Sequence, residues 1–108
     1  MAKISPTQLT LRTLKPLGGP VAVVERWNHY AGIRQDLFGF IDILAVSGGA
    51  TYGIQCTTVA HMAERVQKIE GNQAVLRELY RAGWVIEVWG WKKVKGRWTS
   101  KVVEVKPQ

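Results

Sequence analysis

Gly39-Phe40-Ile41-Asp42-Ile43-Leu44-Ala45-Val46 runs into Ser47-Gly48-Gly49 and resumes as Tyr52-Gly53-Ile54-Gln55-Cys56-Thr57. The two apolar runs read as short strands joined by a tight turn, the first bounded by glycine and the second beginning near Thr51. A carboxylate, Asp42, interrupts the first run between Ile41 and Ile43. Burying an ionised carboxylate is costly unless a cation pairs with it, so this placement points to a bound cation. Gln55 on the partner strand offers a second oxygen at similar depth, and oxygens converging from adjacent strands begin a site for a hard divalent ion. On that reading the two side chains share one sheet face. The plainer alternatives are an aspartate satisfied by backbone amides and a glutamine that faces outward.

Working outward, Ser5-Pro6-Thr7-Gln8 carries a helix start: Ser5 as N-cap, Pro6 at the first helical position and Gln8 closing a capping box. Ile4 and Leu9 are spaced for a hydrophobic staple, and Pro16 with Gly18-Gly19 stops the helix by Lys15. The valine-rich stretch 20–27 reads as a strand limited by Asn28, and 29–37 as an irregular loop. Downstream, Val59, Met62, Ala63, Val66 and Ile69 recur at helical spacing. Glu70-Gly71-Asn72 interrupts the pattern, and Val75, Leu76, Leu79 and Tyr80 resume it up to Gly83. Residues 84–91 alternate aromatic and β-branched side chains, 92–96 form a basic turn, and 97–105 close a hairpin. This order predicts an α/β chain, a mixed sheet of about five strands flanked by helices, in one domain over 1–108.

At 108 residues and 46% hydrophobic content, the chain suits one modest core and is too apolar for a disordered segment. No apolar run approaches the roughly 20 residues of a bilayer span, no signal-peptide pattern opens the chain, and no membrane partner is expected. Cys56 is the single cysteine, which excludes an internal disulfide and suits a reducing, cytoplasmic setting. It reads as a small buried strand residue. The net charge is +7, and residues 92–108 hold six basic residues against one acid, Glu104. Clustered positive charge favours a polyanionic partner; the competing reading is a charged edge that resists aggregation. Trp84, Trp89, Trp91 and Trp98 share this hairpin, with Trp89 and Trp91 on one face and Trp84 on the other. We assign them to core and dimer contacts rather than base stacking.

Asp42 followed by Gln55-Cys56-Thr57 resembles the motif of the PD-(D/E)XK nuclease superfamily, in which an aspartate ends or interrupts one strand and a Glu/Gln-x-Lys triplet lies on the next. By layout the chain looks like the small archaeal-type Holliday junction resolvases and their phage counterparts over nearly its whole length. The resemblance implies a restriction-endonuclease-like fold and a metal-dependent endonuclease using Mg²⁺ or Mn²⁺, acting on branched DNA as a homodimer. It implies Asp42, Gln55, the backbone carbonyl of Cys56 and either Glu25 or Asp36 as metal ligands, and Asp42, Gln55, Thr57 and Glu25 as the catalytic set. Glu25 is preferred over Asp36 because a strand holds a ligand more rigidly than a loop, with Arg26 as its neutralising neighbour. Thr57 stands where the family has lysine. His61, Arg65 and Lys68, at i, i+4 and i+7, are candidates to replace it; the alternative is a solvated helix face with a Glu64–Lys68 pair. Gln8 stands where the resolvases carry a helix glutamate, and its capping box accounts for it without catalysis. Arg34, Arg65, Lys68, Lys92, Lys93, Lys95 and Arg97 are the expected DNA contacts. Two rivals remain: a nuclease-fold DNA-binding module without catalysis, consistent with Gln8, Gln55 and Thr57, and a protein-interaction domain using the tryptophan-rich hairpin.

Overall fold

Two glycines set the register of the sheet. In the computed structural model, which describes residues 3–108, Gly48 (φ 57°) and Gly49 (φ 80°) both occupy the left-handed region. That is the two-residue turn whose twist matches right-twisted strands. It places Ser47 opposite Ala50 and, further along, Ile43 opposite Ile54. One more step in the same register brings Asp42 opposite Gln55.

The elements in order are α1 (Pro6–Leu14), β1 (Val21–Val23), β2 (Arg26–Asn28), β3 (Ile33–Gln35), β4 (Ile43–Ser47), β5 (Ala50–Thr58), α2 (Met62–Glu70), α3 (Gln73–Arg81), β6 (Trp84–Val94) and β7 (Arg97–Glu104). The main sheet runs β1-β4-β5-β6-β7; β5 and β6 are parallel and the other pairs antiparallel. A parallel pair needs a crossover, and α2–α3 provide it between β5 and β6. This is the expected α/β architecture with a five-stranded mixed sheet.

Strand periodicity then sorts the side chains onto two faces. Ile43, Ile54 and Cys56 pack with Leu11 and Leu14 of α1 on one face. Met62, Ile69, Leu76 and Leu79 of α2 and α3 pack with Ile86 and Val88 on the other. Ile43, Ile69, Leu76 and Val88 are fully buried, each worth about 1.5–3 kcal/mol of transfer free energy. Gly53, Gln55 and Thr57 share the α2/α3 face with Ile86, Val88 and Gly90, their partners on β6. Gly90 lets α2 approach closely, since a Cβ there would lie 2.2 Å from Met62 Sδ.

The capping box forms as expected: the Gln8 backbone N–H donates to Ser5 Oγ (3.2 Å), and the Ser5 N–H donates to Gln8 Oε1 (3.1 Å). Trp91 Nε1 donates to Thr10 Oγ1 (2.9 Å), tying α1 to β6. Trp89 also faces α1, while Trp84 packs against Phe38 on the opposite face at a ring separation of 6.1 Å.

Four sequence expectations need correction. The strand over 20–27 is two strands, because the chain leaves the sheet after β1 and Glu25 sits in the link before β2. The segment 29–37 is not irregular: β3 pairs with β2 as a separate two-stranded ribbon. Asn28 Oδ1 organises its tip by accepting from the Tyr30 and Ala31 N–H groups (both 3.0 Å), and Gly32 takes φ 65°. The strand assigned from Gly39 begins later, at Ile43; residues 36–41 turn tightly through Phe38 (φ 55°) and Gly39 (φ 85°), leaving Asp42 one residue ahead of β4. Finally, β6 continues to Val94, so the basic turn contracts to Lys95 (φ 49°) and Gly96 (φ 78°). No helix among the described residues is long and apolar enough to cross a membrane.

Candidate metal centre

The backbone fixes Asp42 from both sides. Its N–H donates to the Ile54 carbonyl and its carbonyl accepts from the Val24 N–H, each at 2.8 Å. The side chain therefore has little freedom, and its Oδ2 accepts from Gln55 Nε2 (2.7 Å) and the Cys56 N–H (2.9 Å). Asp42 and Gln55 are 4% and 3% exposed.

Glu25 and Asp36 complete the cluster, one leaving the sheet after β1 and the other returning from β3. Carboxylate oxygens of Glu25, Asp36 and Asp42 lie within 4.8 Å of one another. Sequence reasoning offered Glu25 or Asp36; the fold brings both. Three carboxylates this close resist simultaneous ionisation. Burial is the main reason that the Asp42 carboxyl is pushed up from 3.8 to about 7. The Cys56 N–H opposes that shift, whereas a hydrogen bond that the protonated Asp42 donates to Asp36, together with the charges of Asp36 and Glu25, reinforces it.

Two cations stand at the rim. Arg34 Nη1 lies 3.3 Å from Glu25 Oε1, and Lys68 Nζ lies 3.6 Å from Asp36 Oδ2. Both are substantially exposed, so each offsets only a small part of the cluster's charge. They line a cleft of about 880 Å³ together with Glu25, Arg26 and Asp36. The neutralising partner of Glu25 is Arg34, not the adjacent Arg26. Lys68 reaches the cluster, so the alternative of a Glu64–Lys68 pair gives way to Lys68–Asp36 and His61–Glu64 (each 3.6 Å). His61 thus turns to its own helix surface.

Thr57 is buried two residues beyond Gln55, opposite Gly90. Arg65 is half-buried, and its Nε is enclosed without a hydrogen-bond partner. Cys56 touches the cluster through its N–H; its thiol faces α1, where burial pushes it up to about 12. That thiol is inert at neutral pH.

The donor set fits a hard divalent cation. Gln55 Oε1 is buried without a partner, an arrangement that costs about 1–3 kcal/mol if nothing binds it. The same amide faces Asp42 through its Nε2, and the three carboxylates of the cluster are oxygen ligands of the type such ions take.

Lys92, Lys93, Lys95 and Arg97 are exposed on the distal part of the β6–β7 hairpin. The last β5–β6 pair is Thr58 with Trp91, beyond which β6 and β7 pair only with each other and form an arm. The arm leaves from the sheet end where Asp42 enters. Val94 is six residues past Val88, the β6 partner of Gln55, a separation of about 20 Å along the strand. Lys93 Nζ sits 5.5 Å from the centre of the Trp98 ring.

The β2–β3 ribbon is what sequence reading missed. Its signal was Asn28 followed by Gly32, an Asx turn and a left-handed glycine between two short polar strands. No protein-family model, curated protein or solved structure matches this chain.

Proposed function

We propose that this chain is a metal-dependent endodeoxyribonuclease of the PD-(D/E)XK type, acting on branched DNA as a homodimer. The observation that carries this reading is a buried acidic cluster left electrostatically incomplete: Glu25, Asp36 and Asp42 side by side, with the Gln55 amide against Asp42 and its Oε1 unpartnered. A divalent cation would relieve the carboxylate repulsion and, with the Gln55 amide turned, take its Oε1 as a ligand.

Asp42, Glu25, Asp36 and the Gln55 oxygen would hold Mg²⁺ or Mn²⁺, which when bound supplies Lewis acidity and a more acidic water. A half-turn of the Gln55 amide exchanges Nε2 for Oε1 at the cluster while keeping the side chain in place. Lys68 holds a positive charge beside Asp36, the role that Thr57 on β5 cannot fill. Arg34 and Arg26 line the same cleft and would grip phosphate oxygens. The basic arm follows the DNA backbone about 20 Å away, a contact that adds affinity without reading sequence. A pair of sites related by two-fold symmetry suits two phosphodiesters at one branch.

The test is nicking of a four-way junction and a matched linear duplex in Mg²⁺, Mn²⁺ or chelator. Metal-dependent cleavage, faster in Mn²⁺ because Mg²⁺ demands stricter octahedral geometry, is the expected result. Gln55 facing Asp42 through its nitrogen, and Thr57 in place of lysine, favour a second reading as a DNA-binding module without catalysis. Intact DNA binding with no cleavage in any metal would decide for that module.

A further inference from the structure

The β2–β3 ribbon pairs with no strand of the main sheet, yet Glu25 and Asp36 bracket it at its base. It therefore stands directly on the acidic cluster. Residues 26–35 contain Arg26, His29 and Arg34 and no acid. Trp27 is 52% exposed, Ile33 51% and Tyr30 at the tip 104%. Trp27 and Arg34 are cross-strand partners and so share a face, an aromatic ring beside a guanidinium.

Exposed apolar side chains clustered on one projecting element mark an interaction surface. Two features define that partner. The ribbon is cationic and continuous with the cation-rimmed cleft, which favours a polyanion. Tyr30 projects at the tip and Trp27 from the strand leading to it, which suits stacking on flat groups rather than lying against a protein face. Unpaired nucleobases meet both demands, since every base has a face on which an aromatic ring can stack.

We infer that the β2–β3 ribbon is a wedge whose Trp27 and Tyr30 stack on unpaired bases at a DNA branch, setting the strand beside it into the acidic cleft. The inference rests on the nuclease reading of that cleft for its chemistry, but the stacking does not require cleavage. Three residues of strand place the tip about 10 Å from the cluster, equivalent to about three nucleotides of one strand. Cleavage therefore falls a few nucleotides from the branch. The ribbon gives the preference for branched DNA, and the remote basic arm gives affinity for any DNA.

The experiment measures binding in Ca²⁺, by anisotropy, of a four-way junction carrying 2-aminopurine at the branch and of a matched duplex. The wild-type chain should prefer the junction and change 2-aminopurine emission. Trp27→Ala or Tyr30→Ala should each lower the junction-to-duplex affinity ratio about 5- to 100-fold, with duplex affinity unchanged. Tyr30→Phe, which keeps the ring, should retain the ratio. An unchanged ratio in Tyr30→Ala overturns the inference. So does a Tyr30→Ala chain whose sedimentation shows a lost dimer while the ratio holds, which would make the ribbon an interface between copies. If the junction preference depends on Tyr30 but the wild-type chain cuts nothing in Mn²⁺, the nuclease reading fails alone. If it cuts the junction with the ratio indifferent to Tyr30, the wedge fails alone.

Discussion

Replacing Asp42 by asparagine should make the metal-free protein more stable at alkaline pH. The carboxyl is held at about 7, against 3.8 for the ordinary group. Between those two values the folded chain keeps a proton that the unfolded chain has released, so stability falls as pH rises through the window. The stabilisation is complete below about 3.8 and gone once pH passes about 7. At 1.36 kcal/mol per unit, the full loss is about 4 kcal/mol as an upper bound, and about 3 kcal/mol of it falls between pH 5 and pH 8. Asparagine is uncharged at both ends of that range. It can still accept the Cys56 N–H, and its own amide can donate to the neighbouring carboxylates. In chelator, urea unfolding of the wild-type chain should weaken from pH 5 to pH 8, whereas Asp42→Asn should be nearly flat and the more stable of the two at pH 8. Added Mn²⁺ should reverse the order. A ligand above 1,000 times its dissociation constant contributes more than about 4.1 kcal/mol, enough to exceed the deficit, and only the wild-type site retains the full ligand set. Equal pH dependence in the two proteins, or a less stable Asp42→Asn at pH 8 in chelator, would refute the picture of a carboxyl strained by burial and awaiting a cation.

Lys68→Ala should reduce metal-dependent cleavage at least tenfold, while Thr57→Lys should change the rate little because the cation of the site comes from α2; single-turnover nicking measures both. A strong gain in Thr57→Lys would return that role to β5. Replacing Lys92, Lys93 and Lys95 together by alanine should weaken binding of all DNA sequences alike and lower the salt slope of log K by about 2–3, read from titrations between 50 and 200 mM salt. An unchanged slope would assign the arm to solubility.

Local signals were legible and non-local ones were not. The capping box of Ser5 and Gln8, the Gly48-Gly49 turn and the burial of Cys56 each depend on neighbours in the chain or on strand parity, so composition and spacing were sufficient. The meeting of Asp42 and Gln55 followed from the turn register. Which acid joins them did not, because Glu25 and Asp36 are assembled by the hydrogen bond between Val24 and Asp42, which closes a detour of many residues. The detour itself hid because β2 and β3 are three residues each and mostly polar, too short for an alternation pattern to emerge. Lys68 likewise reaches Asp36 only because α2 crosses that face of the sheet; on the helix alone it is one of several solvent-side cations.

That detour has a consequence for how such a protein can change over generations. The chain leaves the sheet at Val24 and re-enters at Asp42, and one 2.8 Å hydrogen bond joins the two points. What lies between is tethered at both ends to the same spot, so extra residues at the tip leave the sheet register and the carboxylates where they are. Doubling such a loop costs only about 0.6 kcal/mol of closure entropy. The reach of the ribbon can therefore change while the carboxylates stay fixed, and residues 28–33 are the part of the detour that can be altered with least disturbance to the sheet.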